Sequence, residues 1–236
     1  MGASWQIGKW LYASVALVLV ISACSTPDGD DPVPPAWALG EQPNFTGTIP
    51  NWVDGDAIAA GTGGIYALAF LGGAEETEVG FGSVATDGTF NFGLQKGTTL
   101  PGGGSVPLDA LCPGLATANL SVSNPQQKLV VVNQLEVPAL FVEGQHARPI
   151  GGILIREEPP TAAFLIDRFS FVHASADGTV KGTCNDEGVS VTIDLDLRTG
   201  WNAVFLALEG GIEFTTTAIP AGAEWYLVNP VVLGHE

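Results

Sequence analysis

The sequence is poor in basic residues, and this shortage limits its partners. Only eight of the 236 residues are Lys or Arg against 25 Asp or Glu, so the formal net charge is −17 at pH 7. A surface this acidic repels phosphate backbones and anionic lipid headgroups. The composition therefore argues against nucleic acid as a partner.

Motifs for metals and cofactors are also missing. His146, His173 and His235 have no acid or cysteine at ligand spacing, and each is expected to be solvated or hydrogen-bonded. The glycine-rich stretches at 61–64 and 101–105 lack the GK[ST] of a phosphate-binding loop. We therefore expect neither a metal site nor a cofactor.

The apolar run near the start of the chain is too short to cross a membrane. It extends from roughly Leu11 to Ile21, which as a helix rises about 16 Å, whereas a transmembrane helix needs about 20 residues. Lys9 precedes the run and small residues follow it. This arrangement is typical of an export signal, and we predict a signal peptide over residues 1–23.

The end of this segment, Ile21-Ser22-Ala23-Cys24, places an aliphatic residue and two small residues before a cysteine. It resembles the lipobox of bacterial lipoproteins. In that family the cysteine thiol receives a diacylglyceryl group, the signal is cut before the cysteine, and the new amino group is usually acylated. The resemblance implies lipid on Cys24, which anchors the protein at about 0.8 kcal/mol per buried methylene. An ordinary signal peptide that ends near a cysteine is the alternative.

The same resemblance implies a location at the cell envelope, outside the cytoplasm. Ser25 is not the aspartate that resembles an inner-membrane retention signal, so the outer membrane is expected if the cell has one. Residues 24–43 are acidic and contain five prolines, and such a segment cannot bury enough apolar surface to fold alone. We predict a disordered tether there.

Two cysteines remain, Cys112 and Cys184, about 72 residues apart. In an exported chain such a pair predicts one disulfide. Closing a loop of that length stabilises the fold by about 4 kcal/mol in the chain-entropy model. Two buried free thiols are the alternative.

Short β-branched and aromatic runs between glycines and prolines predict an all-β protein. Residues 64–71 are a continuous apolar run of strand length. In residues 188–198 apolar and polar side chains alternate, which is typical of a strand with one wet face, and 201–208 is expected to return after a turn. The alternation predicts that five side chains lie on the buried face, namely those of Val189, Val191, Ile193, Leu195 and Leu197.

We predict an antiparallel β-sandwich built from these strands. Residues 44–100 would form a first β subdomain and 101–236 a second, and a single domain of both is the alternative. One helical turn is expected at 107–112, where Pro107 suits the first position of a helix.

Two Asp-Gly pairs lie between strand patterns, at Asp87-Gly88 and Asp177-Gly178. Such pairs are strong signals for β-hairpins. Phe81 and Phe171 each stand six residues before the aspartate, so the two segments match at an offset of 90. The match predicts the same hairpin used twice, with internal duplication as a further alternative.

Residues 44–94, with FTGTI early and VATDGTFNFGL late, resemble small β-sandwich modules of the transthyretin-like or carboxypeptidase-regulatory kind. Those modules often show a G-x-V strand followed by D-G-x-F-x-L. In that family they mostly act as structural or adhesive parts. The resemblance therefore implies a non-catalytic role for this segment.

Catalytic patterns are weak. The sequence has no G-x-S-x-G elbow, and Glu157 and Glu158 are adjacent, whereas glycosidase carboxylates face each other across about 5 to 9 Å. Asp194 and Asp196 share one strand face, where soluble outward carboxylates are favoured over a calcium site. We expect no enzyme, and a hydrolase with a site assembled by the fold ranks third.

Carbohydrate binding needs an exposed aromatic platform. Trp201 and Trp225 lie in late predicted strands and are expected in the core, whereas Trp52, in the polar stretch PNWVDGD, is the candidate ligand contact. We predict a structural or protein-interaction module of the cell envelope, with a glycan-binding surface domain as the alternative. Its partners would be the membrane, through lipid on Cys24, and an envelope protein or glycan.

Overall fold

The computed structural model describes residues 33–52, 64–70, 76–97, 119–132, 134–138, 149–159, 167–186, 189–208 and 211–228. Several predictions fall outside this part of the chain, namely those on Cys24, Cys112, His146, His235 and the helical turn at 107–112.

Fifteen β-strands and no helix make up the described residues, which confirms the predicted all-β fold. The strands are β1 Ala38–Gly40, β2 Asn44–Thr48, β3 Gly64–Phe70, β4 Glu76–Val84, β5 Thr89–Leu94, β6 Asn119–Val122, β7 Leu129–Val131, β8 Gln134–Pro138, β9 Pro149–Arg156, β10 Arg168–Ala174, β11 Gly178–Asp186, β12 Val189–Leu197, β13 Gly200–Ala207, β14 Ile212–Thr216 and β15 Glu224–Val228.

The strands are hydrogen-bonded in one continuous order, β2-β5-β4-β3-β8-β9-β10-β13-β14-β12-β11-β6. Beside this path β1 pairs with β13, β7 with β10, and β15 with β9. The β12–β14 pair is parallel, and the other described pairs are antiparallel. Because β3 pairs with β8, the two predicted subdomains share one sheet, and residues from Pro34 to Glu236 form one compact unit.

Strands β10 and β13 separate two hydrophobic cores, which gives the fold its sandwich-like character. Phe169, Phe171 and Trp201 belong to the first core, packed with residues of β3, β4 and β5. Val172 and Val204, which point to the other side, belong to the second core with residues of β11 and β12. Strands buried on both faces have continuous apolar sequences rather than alternating ones.

Aromatic rings fill the centre of the first core. The ring of Trp225 lies with its centroid 4.6 Å from that of Phe90 and 5.5 Å from that of Phe92. The Phe45 ring of β2 lies 5.1 Å from that of Phe171. These contacts tie the edge strand β2 and the late strand β15 to the same centre, because large rings bury much area in tilted geometries.

The hairpin at Asp87-Gly88 is confirmed. It joins β4 and β5, which pair from Gly80↔Leu94 to Val84↔Phe90. Gly88 has φ +82°, and the Asp87 carboxylate accepts hydrogen bonds from the N–H (3.0 Å) and hydroxyl (2.6 Å) of Thr89. A left-handed glycine after a carboxylate that binds the backbone is what a tight turn requires.

The hairpin predicted at Asp177-Gly178 is wrong. β10 ends at Ala174 and pairs with β13, β7 and β9, whereas β11 begins at Gly178 and pairs with β12 and β6. The chain therefore passes here from β10, which contacts both cores, to β11, which packs in the second core. The two segments that match in sequence also differ in the burial of their matching phenylalanines. Phe81 is 53% exposed, whereas Phe171 is fully buried.

Strands β12 and β13 are consecutive but do not pair, because β14 lies between them. The turn at Thr199-Gly200 therefore joins strands that are two positions apart in the sheet, and β13 does not return along β12 as a hairpin. The predicted alternation in β12 is confirmed from Val191 to Leu197, but Val189 is 44% exposed because it lies at the end of the strand.

The sheet includes part of the segment predicted as a tether. β1 pairs with β13, and the indole N–H of Trp37 donates to the carbonyl oxygen of Asp196 at 2.8 Å. The N–H of Ala203 donates to the carbonyl of Trp37 at 2.8 Å. Folded structure thus begins before Asn44, earlier than the acidic, proline-rich composition predicts.

Candidate functional site

Trp52 is not the exposed platform that the sequence predicts. Its side chain is half-buried and packs against the first core, and its indole nitrogen is buried without a hydrogen-bond partner. The hairpin at Gly88 lies against it, because a Cβ on Gly88 would stand 2.8 Å from the Trp52 Cβ. The ring therefore contributes to packing, and a role of Trp52 as a ligand contact stays a prediction.

Trp201 and Trp225 are core residues, as predicted, with 0% and 8% exposure. The Trp201 indole N–H donates to the carbonyl oxygen of Gln95 at 2.7 Å, so its polar atom is satisfied inside the protein. Neither ring is available as a platform.

His173 is buried on β10, with its ring centroid 5.3 Å from that of Trp201. Burial lowers the pKa of His173, and the carboxylate of Glu41 partly opposes this effect. The Nε2 atom is buried without a hydrogen-bond partner. Where the structure is described, no group of three or more His, Cys, Asp or Glu is arranged to hold a metal ion.

Asp194 and Asp196 lie on the outer face of β12, as predicted, and both meet basic side chains. Lys181 Nζ lies 2.5 Å from the Asp194 carboxylate, and Arg198 lies 3.8 Å from that of Asp196. The carboxylate of Asp194 raises the pKa of Lys181 through this hydrogen bond. These exposed pairs contribute little to stability and leave the carboxylates engaged.

Cys184 lies on β11 in the second core and is 4% exposed. Its sulfur takes part in a disulfide. Cys112, the partner that the sequence predicts, lies outside the described residues, so the pairing itself stays a prediction.

The described part of the protein contains a shallow groove of about 350 Å³ on the outer face of β2, β5 and β4, here called the amide groove. Its lining consists of Gln42, Asn44, Phe81, Gly82, Ser83, Asn91, Gly93, Leu94 and Gln95. None of these side chains is charged, although the protein as a whole is strongly acidic. The groove is therefore suited to a neutral polar ligand.

Strand register brings the groove residues together. Asn44 pairs with Gly93, which pairs with Phe81, which in turn pairs with Tyr66. In the next row, Asn91 of β5 pairs with a β2 residue on one side and with Ser83 of β4 on the other. Because side chains alternate along a strand, the residues between these positions on β5 point into the first core.

Gly93 opens the groove between Asn44 and Phe81. A Cβ there would reach to 3.2 Å from the Asn44 amide oxygen, so any side chain would fill the space. The Phe81 ring is 53% exposed and is supported from the side by Tyr66, with ring centroids 5.3 Å apart. The result is an aromatic surface beside an amide group.

Most polar side chains of the groove are available to a ligand, although the Gln95 amide donates to the carbonyl of Glu78. Within the described residues, the side chains of Gln42, Asn44, Ser83 and Asn91 make no hydrogen bond to protein. Each amide offers both a donor and an acceptor, and the serine hydroxyl does the same. Together with an exposed ring, this set matches a ligand that carries many hydroxyl groups and an apolar face.

Sequence reasoning missed this groove because it used Phe81 only as part of a hairpin pattern. A signal was present: Phe81 stands between Gly80 and Gly82, and it has the opposite parity to Val84, which faces the core. An aromatic residue on the wet face of a strand, flanked by glycines, indicates a surface contact rather than packing.

The described residues include no helix long and apolar enough to cross a membrane. The chain matches no protein family, no curated protein and no solved structure.

Proposed function

We propose that this protein is a lipid-anchored protein of the cell envelope whose amide groove binds a neutral glycan. The observation that carries the proposal is the exposed Phe81 ring beside three uncommitted amides, from Gln42, Asn44 and Asn91. The C–H face of a sugar ring stacks on an aromatic surface. Amides then donate to and accept from adjacent hydroxyl groups.

Charge supports a neutral ligand over an acidic one. The groove has no basic side chain, and the surrounding protein has a net charge of −17. A uronic or phosphorylated glycan would be repelled by this field. The groove is also open and shallow, a shape suited to one surface of an extended polysaccharide chain.

Affinity electrophoresis through gels that contain starch, xylan, hydroxyethyl cellulose or pectin tests the proposal. We expect at least one neutral polymer to retard the protein and the acidic pectin to leave it unaffected. Phe81→Ala should weaken the retardation about tenfold, which corresponds to about 1.4 kcal/mol. Val189→Ala, which trims another exposed apolar residue, is the matched control and should migrate like the parent protein.

Gly93→Thr provides an independent check, because it fills the groove without removing any ligand contact. We expect the same loss of retardation. Unchanged mobility on every neutral polymer, or equal retardation of the Phe81→Ala and Val189→Ala variants, would contradict glycan binding in this groove.

A structural or protein-interaction role is the second candidate, and the ends of the sheet support it. Among the described strands, β2 and β6 terminate the strand order, and each pairs with one described neighbour. A free strand edge can accept a strand from another protein. Cross-linking in intact cells followed by mass spectrometry tests this role, and a near-stoichiometric envelope protein would favour it over glycan binding.

Hydrolysis is the third candidate, and no observation on the described residues favours it.

The proposed attachment to the membrane rests on the lipobox resemblance at Cys24 and is independent of the groove.

A further inference from the structure

A second cavity, of about 240 Å³, lies at one end of the second core between β7, β10, β13 and β14. Six apolar residues line it, namely Val131, Val132, Val172, Val204, Leu206 and Phe214. Among the described lining residues, Arg168 and Ser170 are the polar ones. We name this cavity the Arg168 pocket.

Strand register explains the position of the pocket. Arg168 pairs with Leu206 and Leu206 with Phe214, which forms one row across three strands. Ser170 pairs with Val204 in the next row, and Val204 is almost fully buried in the second core. The pocket is therefore the open end of that core. The guanidinium of Arg168 occupies a position where another apolar side chain would continue the core.

Arg168 has no partner for its charge among the described residues. The adjacent carboxylate of Asp167 accepts a hydrogen bond from the N–H of Leu208 at 2.8 Å, and no ion pair links it to Arg168. The hydroxyl of Ser170 is also committed, because it donates to the carbonyl of Val132 at 2.9 Å.

The guanidinium remains charged in this environment. Burial lowers the pKa of Arg168, but an arginine stays protonated in proteins. A half-buried cation without a counterion is unfavourable, because it loses hydration without gaining a partner. An anion that enters the pocket would supply that partner, and a carboxylate fits the planar guanidinium through two parallel hydrogen bonds.

We propose that the Arg168 pocket binds a medium-chain carboxylate, with the carboxylate on Arg168 and the alkyl chain against the valine and leucine wall. The volume sets the length of the chain. At about 30 Å³ for each water-sized group, the cavity accepts roughly eight non-hydrogen atoms, the number in a carboxylate of six carbons, and the last two carbons of an eight-carbon chain would lie at its open end. This inference does not depend on glycan binding, because the amide groove shares none of its lining residues.

Isothermal titration of the full chain with sodium octanoate tests the proposal, with 1-octanol as the matched ligand without charge. We expect one octanoate per chain, with octanol at least about tenfold weaker because it cannot pair with the guanidinium. Equal affinity for the two ligands, or no binding of octanoate up to about 5 mM, would overturn the proposal.

Variants separate the guanidinium from general charge effects. Arg168→Met keeps an apolar stem and removes the cation, and we expect it to lower octanoate affinity about tenfold or more. Lys128→Met removes one exposed positive charge elsewhere and should bind octanoate like the parent. If the two variants bind octanoate equally, Arg168 is not the anion site and the proposal fails.

A second readout guards against misfolding of the Arg168 variant. In the parent protein, octanoate should shift the backbone amide resonances of Ser170 and Val204 and leave that of Ser83 in the amide groove unchanged. Octanoate should also raise the melting temperature in proportion to the occupied fraction. Shifts confined to residues outside the Arg168 pocket would overturn the assignment.

Discussion

Asp177 and Thr199 stand 22 residues apart in sequence, yet the Asp177 carboxylate accepts hydrogen bonds from the Thr199 N–H at 2.7 Å and from its hydroxyl at 2.9 Å. Arg198 donates to the other carboxylate oxygen at 3.3 Å. Asp177 therefore stabilises the turn between β12 and β13, and it does not form the turn of a hairpin between β10 and β11. Near this contact the chain passes from β10, which lies between the two cores, to β11 in the second core.

Asp177→Ala should lower the free energy of unfolding by about 1 kcal/mol, since it removes the two hydrogen bonds from Thr199 and the exposed interaction with Arg198. Asp177→Asn keeps an acceptor and should lose less. Asp194→Asn, which disrupts only an exposed ion pair, is the control and should stay within about 0.5 kcal/mol of the parent. Urea unfolding measures all three, and equal losses in Asp177→Ala and Asp194→Asn would contradict the stabilising role of Asp177.

The same contact makes stability depend on pH in the acid range. Hydrogen bonds from Thr199, followed by the Arg198 interaction, lower the pKa of Asp177 below its usual value near 3.8. The contribution of ionised Asp177 to the free energy of unfolding is therefore present above pH 3.8. It is lost as pH falls through the lowered pKa of Asp177 in the folded state. Asp177→Asn should not show this loss, which urea unfolding at pH 5 and pH 3 would reveal as a smaller decline than in the parent.

His173 should make the protein less stable in mild acid. Burial lowers its pKa in the folded state, with Glu41 opposing, so the unfolded chain binds the proton more readily. The stabilising contribution of neutral His173 is therefore fully present above about pH 6.5. It is lost as pH falls towards the pKa of His173 in the folded state.

His173→Phe retains a ring against Trp201 and removes the titration. We expect its denaturation midpoint to change less than that of the parent between pH 7.5 and pH 5.5. A parallel decline in both proteins would show that other groups control stability in this range.

Gly88→Ala should destabilise the protein by about 2 kcal/mol. The residue has φ +82°, which costs a side chain about 1 to 3 kcal/mol, and its new Cβ would meet Trp52 and the carbonyl of Ile49. Gly222→Ala is the control, because nothing lies within 4 Å of its Cβ position. Thermal unfolding should separate the two variants by several degrees, and similar melting temperatures would mean that the turn can adjust.

Cys24→Ala should release the protein from membranes, because the proposed lipid anchor would be lost. Carbonate washing of membrane fractions followed by immunoblotting measures the release. Ser25→Ala is the matched control and should remain membrane-bound. If Cys24→Ala stays with the membrane after washing, the lipobox interpretation is wrong.

Cys112 should prove to be the partner of Cys184. Unfolded, unreduced protein should then show no free thiol at these two positions, and mass spectrometry of a proteolytic digest should recover the linked peptide pair. Cys112→Ser should lower stability by about 4 kcal/mol in the chain-entropy model. Two reactive thiols would instead support unpaired cysteines.

The elements that could be predicted depend on local patterns. The β12 alternation and the Asp87-Gly88 hairpin follow from side-chain parity and turn chemistry, which act over a few residues. The role of Asp177 could not be predicted, because its partner comes from a turn 22 residues later. Likewise, Trp52 lies in a polar stretch but is half-buried, since the hairpin around Gly88 folds over it.

Sequence alone determined the all-β class, the acidic surface and the assignment of Trp201 and Trp225 to the core, because composition and local periodicity are properties of the chain. Tertiary structure decided which strands pair, and thereby placed Phe81 beside Gly93 and Arg168 beside Leu206. These juxtapositions join residues distant along the chain. Strand order, which local propensity does not encode, is what creates both the amide groove and the Arg168 pocket.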